Sequence, residues 1–190
     1  MKLILLNGPP RSGKDFAGLK LQLGSPNVKL FKMSKELKER CHAAYLLFGT
    51  DGRPLRHDWF ESVKDEPREE FEGLTPREAY IAFSENWLKP THGTGKLGEW
   101  LAEDILHWKT ILGDFTAVVT DCGFLHEVVP LVGEFGAENI LLIRLHRVGY
   151  TFEGDSRSHI DLSHMGVPCM DIDNTGEEFA ENICKLSKIC

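Results

Sequence analysis

The chain opens on a strand that runs straight into a loop, and that junction constrains everything after it. Leu3-Ile4-Leu5-Leu6 is an unbroken apolar run, and Gly8-Pro9-Pro10-Arg11-Ser12-Gly13-Lys14-Asp15 follows at once. A continuous apolar run of this kind marks a parallel strand buried on both faces. The eight residues after it have the Gly-x4-Gly-Lys spacing of a phosphate-binding loop, with strand before and helix after. Gly8 allows the tight turn, and Gly13 lets the backbone come close to an anion. Successive N–H groups then converge on that anion, aided by the positive end of the following helix. Lys14 reaches toward the outer phosphates. The Ser or Thr that usually holds Mg²⁺ at the next position is missing, and Asp15 stands there instead. A Gly/Pro-rich turn with a solvated lysine is the plain alternative, and the strand–loop–helix context argues against it.

The rest of the chain repeats the alternation of strand and helix. Lys2–Asn7 reads as the first strand, and a helix runs from near Gly13 to about Leu23, closed by Gly24-Ser25-Pro26. Asn27–Met33 reads as the second strand. Ser34 is a good N-cap for a helix carrying Leu37, Cys41, Ala44 and Phe48 at helical spacing. Thr75-Pro76-Arg77-Glu78 is a helix start, with Thr75 as cap, Pro76 at the first position and Glu78 as capping-box partner. Residues 90–98 read as a loop, and Leu97, Leu101, Ile105, Trp108 and Leu112 then trace one helix face. Phe115–Thr120 is a strand ending at Asp121, Glu127 to about Phe135 a helix, and Asn139–Leu145 a strand. Residues 147–167 read as a polar loop, Cys169–Ile172 as the last strand and Glu177–Lys188 as the closing helix. This alternation predicts right-handed crossovers and a parallel sheet covered on both faces. Ligands of such sheets bind beyond the carboxyl ends of the strands. The loop at 8–15, Asp121 and the Arg144–Arg157 segment should therefore meet at one edge.

A chain of 190 residues suits one domain, 1–190, and buries enough surface to need neither disulfides nor a structural metal. Its net charge of −7 argues against general nucleic-acid binding through a basic face. Cysteines at 41, 122, 169, 184 and 190 form no Cys-x2-Cys pair, which fits reduced thiols and a cytoplasmic setting. His42 and His57 read as surface or packing residues, since no histidine pair has zinc-site context. There is neither a signal peptide nor a run of about 20 apolar residues, so no membrane segment is expected. Residues 51–74 are acidic, with Trp59, Phe60 and Phe71 interleaved. They read either as a solvated, loosely helical insert or as a mobile segment covering a substrate.

Three features beyond the loop bear on chemistry. Asp121, at the end of a buried strand, can hold Mg²⁺ directly or through water, or cap the next helix. Arg147 and Arg157 flank a flexible polar stretch, where they can neutralise a transferred phosphoryl group from a closing lid. Their other reading is surface pairing with Asp155 and Asp161, while Arg144 faces a sheet edge. Arg77, at a helix start after the acidic insert, can clamp an anionic group or pair with Glu78 or Glu85. Tyr80 and Trp87 can stack on a base or belong to the core.

The ordered motifs Gly8-x4-Gly13-Lys14-Asp15, Ser34-Lys35-Glu36-Leu37-Lys38, Thr75-Pro76-Arg77-Glu78, Val118-Val119-Thr120-Asp121-Cys122-Gly123-Phe124-x-x-Glu127 and Ile172-Asp173-Asn174 resemble the bacteriophage deoxynucleoside monophosphate kinases, a branch of the P-loop kinases. The resemblance spans about residues 1–188. It implies a three-layer P-loop kinase fold: a five-stranded parallel sheet with helices on both faces, an acceptor-binding insert at about 50–95 and a lid at about 147–167. It also implies ATP, Mg²⁺ and a nucleoside monophosphate as ligands, with the host cytoplasm as the setting and a second copy of the chain as a possible partner. The loop residues Gly8, Pro9, Pro10, Arg11, Ser12, Gly13, Lys14, Asp15 and Phe16 would then bind ATP, with Asn174 near the adenine. Arg11, Lys38, Arg77, Tyr80, Trp87 and Asp121 would serve the acceptor, and Asp15 and Asp121 the metal. Lys14, Asp15, Arg147 and Arg157 would be catalytic. One departure stands out: many members carry Arg where this chain has Gly123. Two rival readings keep the loop. One is a P-loop kinase acting on a hydroxymethylated base in DNA or on a small alcohol or phosphate; the other is a non-catalytic nucleotide-binding module.

Overall fold

The computed structural model describes residues 1–175, 179 and 181–183. Five strands, all parallel, lie in the order β2-β3-β1-β4-β5. They are β1 (Lys2–Asn7), β2 (Val28–Phe31), β3 (Thr116–Val119), β4 (Ile140–His146) and β5 (Cys169–Asp173). In β1, Leu3 and Leu5 face one layer and Ile4 and Leu6 the other, and all four are buried. That is why the run carries no polar alternation: both faces are covered. On the first face pack α5 (Lys96–Leu112) and α6 (Leu125–Phe135), through Leu97, Leu101, Ile105, Val128 and Leu131. On the other packs α1 (Lys14–Gly24), through Ala17 and Leu21, joined by Phe179 and Ile183. The expected three-layer α/β architecture is thus observed. Of the closing helix expected at 177–188, residues 179 and 181–183 are helical and the remainder lies outside the described residues.

Several boundaries differ from the sequence reading, each for a local reason. The helix after β2, α2, spans Lys35–Ala44 and stops before Phe48. Leu46 takes a left-handed backbone (φ 59°), and Phe48 bridges to Pro54, so the turn at Gly49-Gly52 is entered earlier than the apolar spacing implied. Ser34 sits at the start of α2 but makes no side-chain cap; its hydroxyl goes to Asp121 instead. Pro90 does not open a loop. α3 (Pro76–Phe83) continues through a π turn at Ser84–Leu88 into α4 (Lys89–His92), and α5 starts only four residues later. The capping box on α3 is present as expected, with Thr75 and Glu78 bonded reciprocally.

The insert has a core of its own. Phe60, Phe71, Ala79, Tyr80 and Cys41 are buried together, with Tyr45, Leu55 and Phe83 packed against them. His42 organises this cluster: its Nδ1 lies 2.7 Å from the Leu55 carbonyl and its Nε2 2.8 Å from the Tyr80 hydroxyl. The acidic residues of 51–74 form the solvated outside of a packed unit. The segment 147–167 is also only partly a loop. Ile160, Leu162 and Val167 are buried in the main core. Of the segment expected to form a lid, residues 160–167 thus contribute to the main core.

Candidate functional site

The carboxyl ends of the strands converge as the topology requires. After β1, the loop closes with Ser12 N–H donating to the Pro9 carbonyl, and Arg11 takes a left-handed backbone (φ 62°). A non-glycine residue there is uncommon and draws attention to the turn it makes. Gly13 has φ 101°, and a Cβ on it would lie 2.7 Å from Asn174 Nδ2. Asn174, just beyond β5, donates from that nitrogen to the Ser12 carbonyl at 2.9 Å. It holds the loop's backbone, a role the sequence reading did not give it.

Lys14 is folded back on the loop, donating to the carbonyls of Gly8 (2.6 Å) and Pro9 (2.8 Å). Burial and the charge of Arg157 bring its pKa down to about 8. An anion in the loop would compete with those carbonyls for the ammonium. Asp15 pairs with Lys32 and accepts from the Thr120 hydroxyl at 3.0 Å. These contacts and the charge of Lys14 hold its carboxyl below the usual range, outweighing burial, the largest single influence, which acts the other way. Arg147 donates to the Arg11 carbonyl at 2.8 Å and lies over the Tyr150 ring. Arg11, Gly13, Lys14, Asp15, Phe16, Arg147 and Tyr150 line one depression of about 300 Å³. Phe16 is half-exposed there and stacks on Phe179.

Asp121 is not placed as a free metal ligand. Its Oδ1 accepts from Met33 N–H (2.6 Å), and its Oδ2 from the Ser34 N–H (3.1 Å) and hydroxyl (2.6 Å). It clamps the start of α2 rather than capping the helix that follows it in sequence. Orphan N–H groups at a helix start need such an acceptor, and Asp121 supplies it from across the sheet. Among the described residues no group of three or more His, Cys, Asp or Glu side chains is arranged to hold a metal. Asp15, whose side chain is 79% exposed, is the more open of the two carboxylates.

Arg77 pairs with Asp65 at 2.6 Å, not with Glu78 or Glu85. Arg157 grips Asp155 through two nitrogens, as one of the two sequence readings anticipated. Its stem lies over Gly123: a Cβ at that position would come within 2.6 Å of Arg157 Cδ. The small residue at 123 thus leaves room for the Arg157 side chain. Lys38 pairs with Glu61 on the insert. Tyr80 is buried in the insert core with its hydroxyl on His42, which is the core placement that was one of its two readings. Trp87 is partly exposed and stacks on Phe83. Arg144 and His146 share Asp171 at the sheet edge.

Two residues went unread in the sequence. Asn7, fully buried at the end of β1, donates to the carbonyls of Cys122 and Ser158 and accepts from Ile160 N–H. It ties the segment around Ser158–Ile160 to the sheet, and a polar residue closing an apolar strand was the available signal. Glu127 is buried at the start of α6. Burial, and next the charge of Asp121, push its pKa up to about 8, against the opposing charges of Lys89 and Arg157. Between about 4.5 and 8 the folded state therefore holds a proton that the unfolded chain has released. Stability should fall as pH rises through that window, by up to about 1.4 kcal/mol per pH unit from this group. Glu127→Gln should flatten the slope, making urea unfolding of the variant less pH-dependent than that of the wild type between those limits. Parallel curves for the two proteins would remove this assignment.

No protein-family model and no curated sequence matches the chain. Among solved structures, an unliganded sugar kinase from a Janibacter species is similar at 12% identity, with a TM-score of 0.47, over 100% of this chain and 96% of the other. No helix among the described residues is long and apolar enough to cross a membrane.

Proposed function

We propose that the protein is a nucleotide kinase, transferring the γ-phosphoryl group of ATP to a deoxynucleoside monophosphate. The observation that carries this reading is the meeting of Lys14 and Arg147 with one phosphate-type loop at the carboxyl edge of a parallel sheet, with Arg157 near enough for its charge to act on Lys14. Phosphoryl transfer is accelerated mainly by positioning and by neutralising charge on the transferred group, and these residues are suited to both. The loop's N–H groups and Lys14 would hold the donor phosphates. Arg157 and Arg147 would bring positive charge from the lid side and help exclude water. Arg77 would take the acceptor phosphate. Mg²⁺ would be held by Asp15 and the phosphates, neutralising the donor's charge. Asp121 would act only by fixing the start of α2.

The trial is direct: purified protein, ATP with Mg²⁺ and each deoxynucleoside monophosphate in turn, read by ADP release. Monophosphates should react and plain nucleosides should not, because an Arg built to meet a phosphate is left unpaired without one. Turnover with hydroxymethylated DNA alone would change the acceptor. ATP binding without any acceptor would leave a binding module. In the same assay Asp15→Asn should depress turnover far more than ATP affinity, since a carboxylate beside ATP is useful only when Mg²⁺ compensates its repulsion. A pure rise in ATP KM would sink its assigned role.

A further inference from the structure

Arg77 and Arg157 are each held by an aspartate of their own segment, the insert and the stretch at 147–159. Arg77 Nε of α3 meets Asp65 Oδ1 of the insert at 2.6 Å. Arg157 of the lid grips Asp155 in a fork, Nε to Oδ1 at 2.8 Å with the second nitrogen on Oδ2. The charge of Arg77 also acts on Asp155, and that of Arg11, in the loop, on Asp65. The charges of loop, insert and the 147–159 segment thus lie near enough to be felt by one another, without a direct bond between the two pairs.

A carboxylate in a guanidinium fork presents two oxygens in nearly the geometry of a phosphate edge. Asp155 therefore sits where a phosphate ester would have to bond, and Asp65 occupies, through one oxygen, the Nε–H of Arg77 that such an ester would need. The two pairs differ in how readily they yield. The Arg77–Asp65 pair is exposed, with side-chain exposures of 49% and 66%, while Arg157–Asp155 is largely covered, at 28% and 17%. Exposed pairs are weak and easily exchanged; covered ones hold better. Arg157 holds Asp155 down to about 2 in pKa, so this carboxylate is ionised throughout the useful pH range.

We infer that Asp65 and Asp155 are phosphate placeholders: positioning residues that hold Arg77 and Arg157 and are displaced when a phosphate ester enters. The inference rests on the proposed phosphate-transfer site but concerns its opening. Entry is then an anion exchange, first at the exposed Arg77 and next at Arg157. Removing the placeholders should tighten anion binding, whereas removing a merely structural aspartate would loosen it.

The test uses methyl phosphate, a dianion at about pH 8 because the second pKa of such esters is near 6. Binding is followed by NMR of the arginine Nε–H signals, with melting temperature as a check on folding. Asp65→Asn with Asp155→Asn should bind methyl phosphate on the order of tenfold tighter than wild type, since two competing charge-assisted contacts are gone. Glu69→Gln, in the same acidic insert but not paired to either arginine, should change affinity little. In wild type, methyl phosphate should shift the Nε–H signals of Arg77 and Arg157 together. Affinity unchanged or weakened in the double variant, or a gain matched by Glu69→Gln, would overturn the proposal. If the double variant unfolds, Asp65→Asn alone decides, as its partner pair stays intact; the same direction is required of it. The readout needs no turnover. A protein that exchanges anions but transfers no phosphoryl group keeps this inference and loses the kinase reading, while active enzyme without the gain does the reverse.

Discussion

Lys14→Ala should lose on the order of 10³-fold or more in turnover, the scale at which one donor to a charged transition state matters, while its melting temperature falls by only a few degrees. The asymmetry follows from what the ammonium touches. Its contacts are with the carbonyls of Gly8 and Pro9, which are buried, while Lys14 itself is partly exposed. Water replaces such bonds at a net loss of about 0.5–1.5 kcal/mol. In the transition state the same ammonium would face spreading negative charge in a site that excludes water, where no solvent stands in for it. Arginine should not rescue the function, because a planar fork cannot follow the compact path that bends Lys14 back along its own loop. ADP release and a thermal melt on the same sample make the check. Near-normal turnover would mean that the loop is not the donor site.

The sheet was legible because its signal is composition. Leu3 to Leu6 and Ile140 to Ile143 are apolar without alternation, and only burial on both faces calls for that. The loop was legible because its spacing is local and its context is sequential. The capping box at Thr75 was legible for the same reason. What could not be read was pairing over long separations. Asp121 has no sequence neighbour to reveal that Met33 and Ser34 need its oxygens, and helix capping from another strand leaves no pattern. The insert looked loose because its charges outnumber its apolar residues. Its core is nevertheless real, since Phe60, Phe71 and Tyr80 come from separate turns and meet only around His42. Phe48 misled by helical spacing, which says nothing about where a chain turns left-handed.

Gly98→Ala should be the most damaging single-methyl change in the protein's first layer, and the reason lies in the α5–α6 crossing. A Cβ at Gly98 would fall 1.9 Å from the Glu127 carbonyl oxygen and 3.2 Å from Pro130 Cγ. The near atom is backbone, so no side chain can swing aside. Either the helices part or α5 shifts along its axis, and both disturb Leu97, Leu101 and Val128 in the core. Overpacking of this kind costs about 1–3 kcal/mol, and a backbone clash belongs at the upper end. For a chain of this size that lowers the melting temperature by roughly 6–12 °C. Gly133→Ala, on the exposed side of the same α6, meets nothing within 4 Å and should act in the opposite sense. There alanine restricts the unfolded chain and favours helix, a gain of about 0.5–1 kcal/mol. The opposite signs separate helix propensity from packing, which a single substitution would confound. Because the crossing also sets the first turn of α6, where Glu127 lies beside Asp121 and Arg157, Gly98→Ala should cost activity even below its melting point. Equal and small effects at both glycines would mean that α5 and α6 do not approach as closely as the geometry requires.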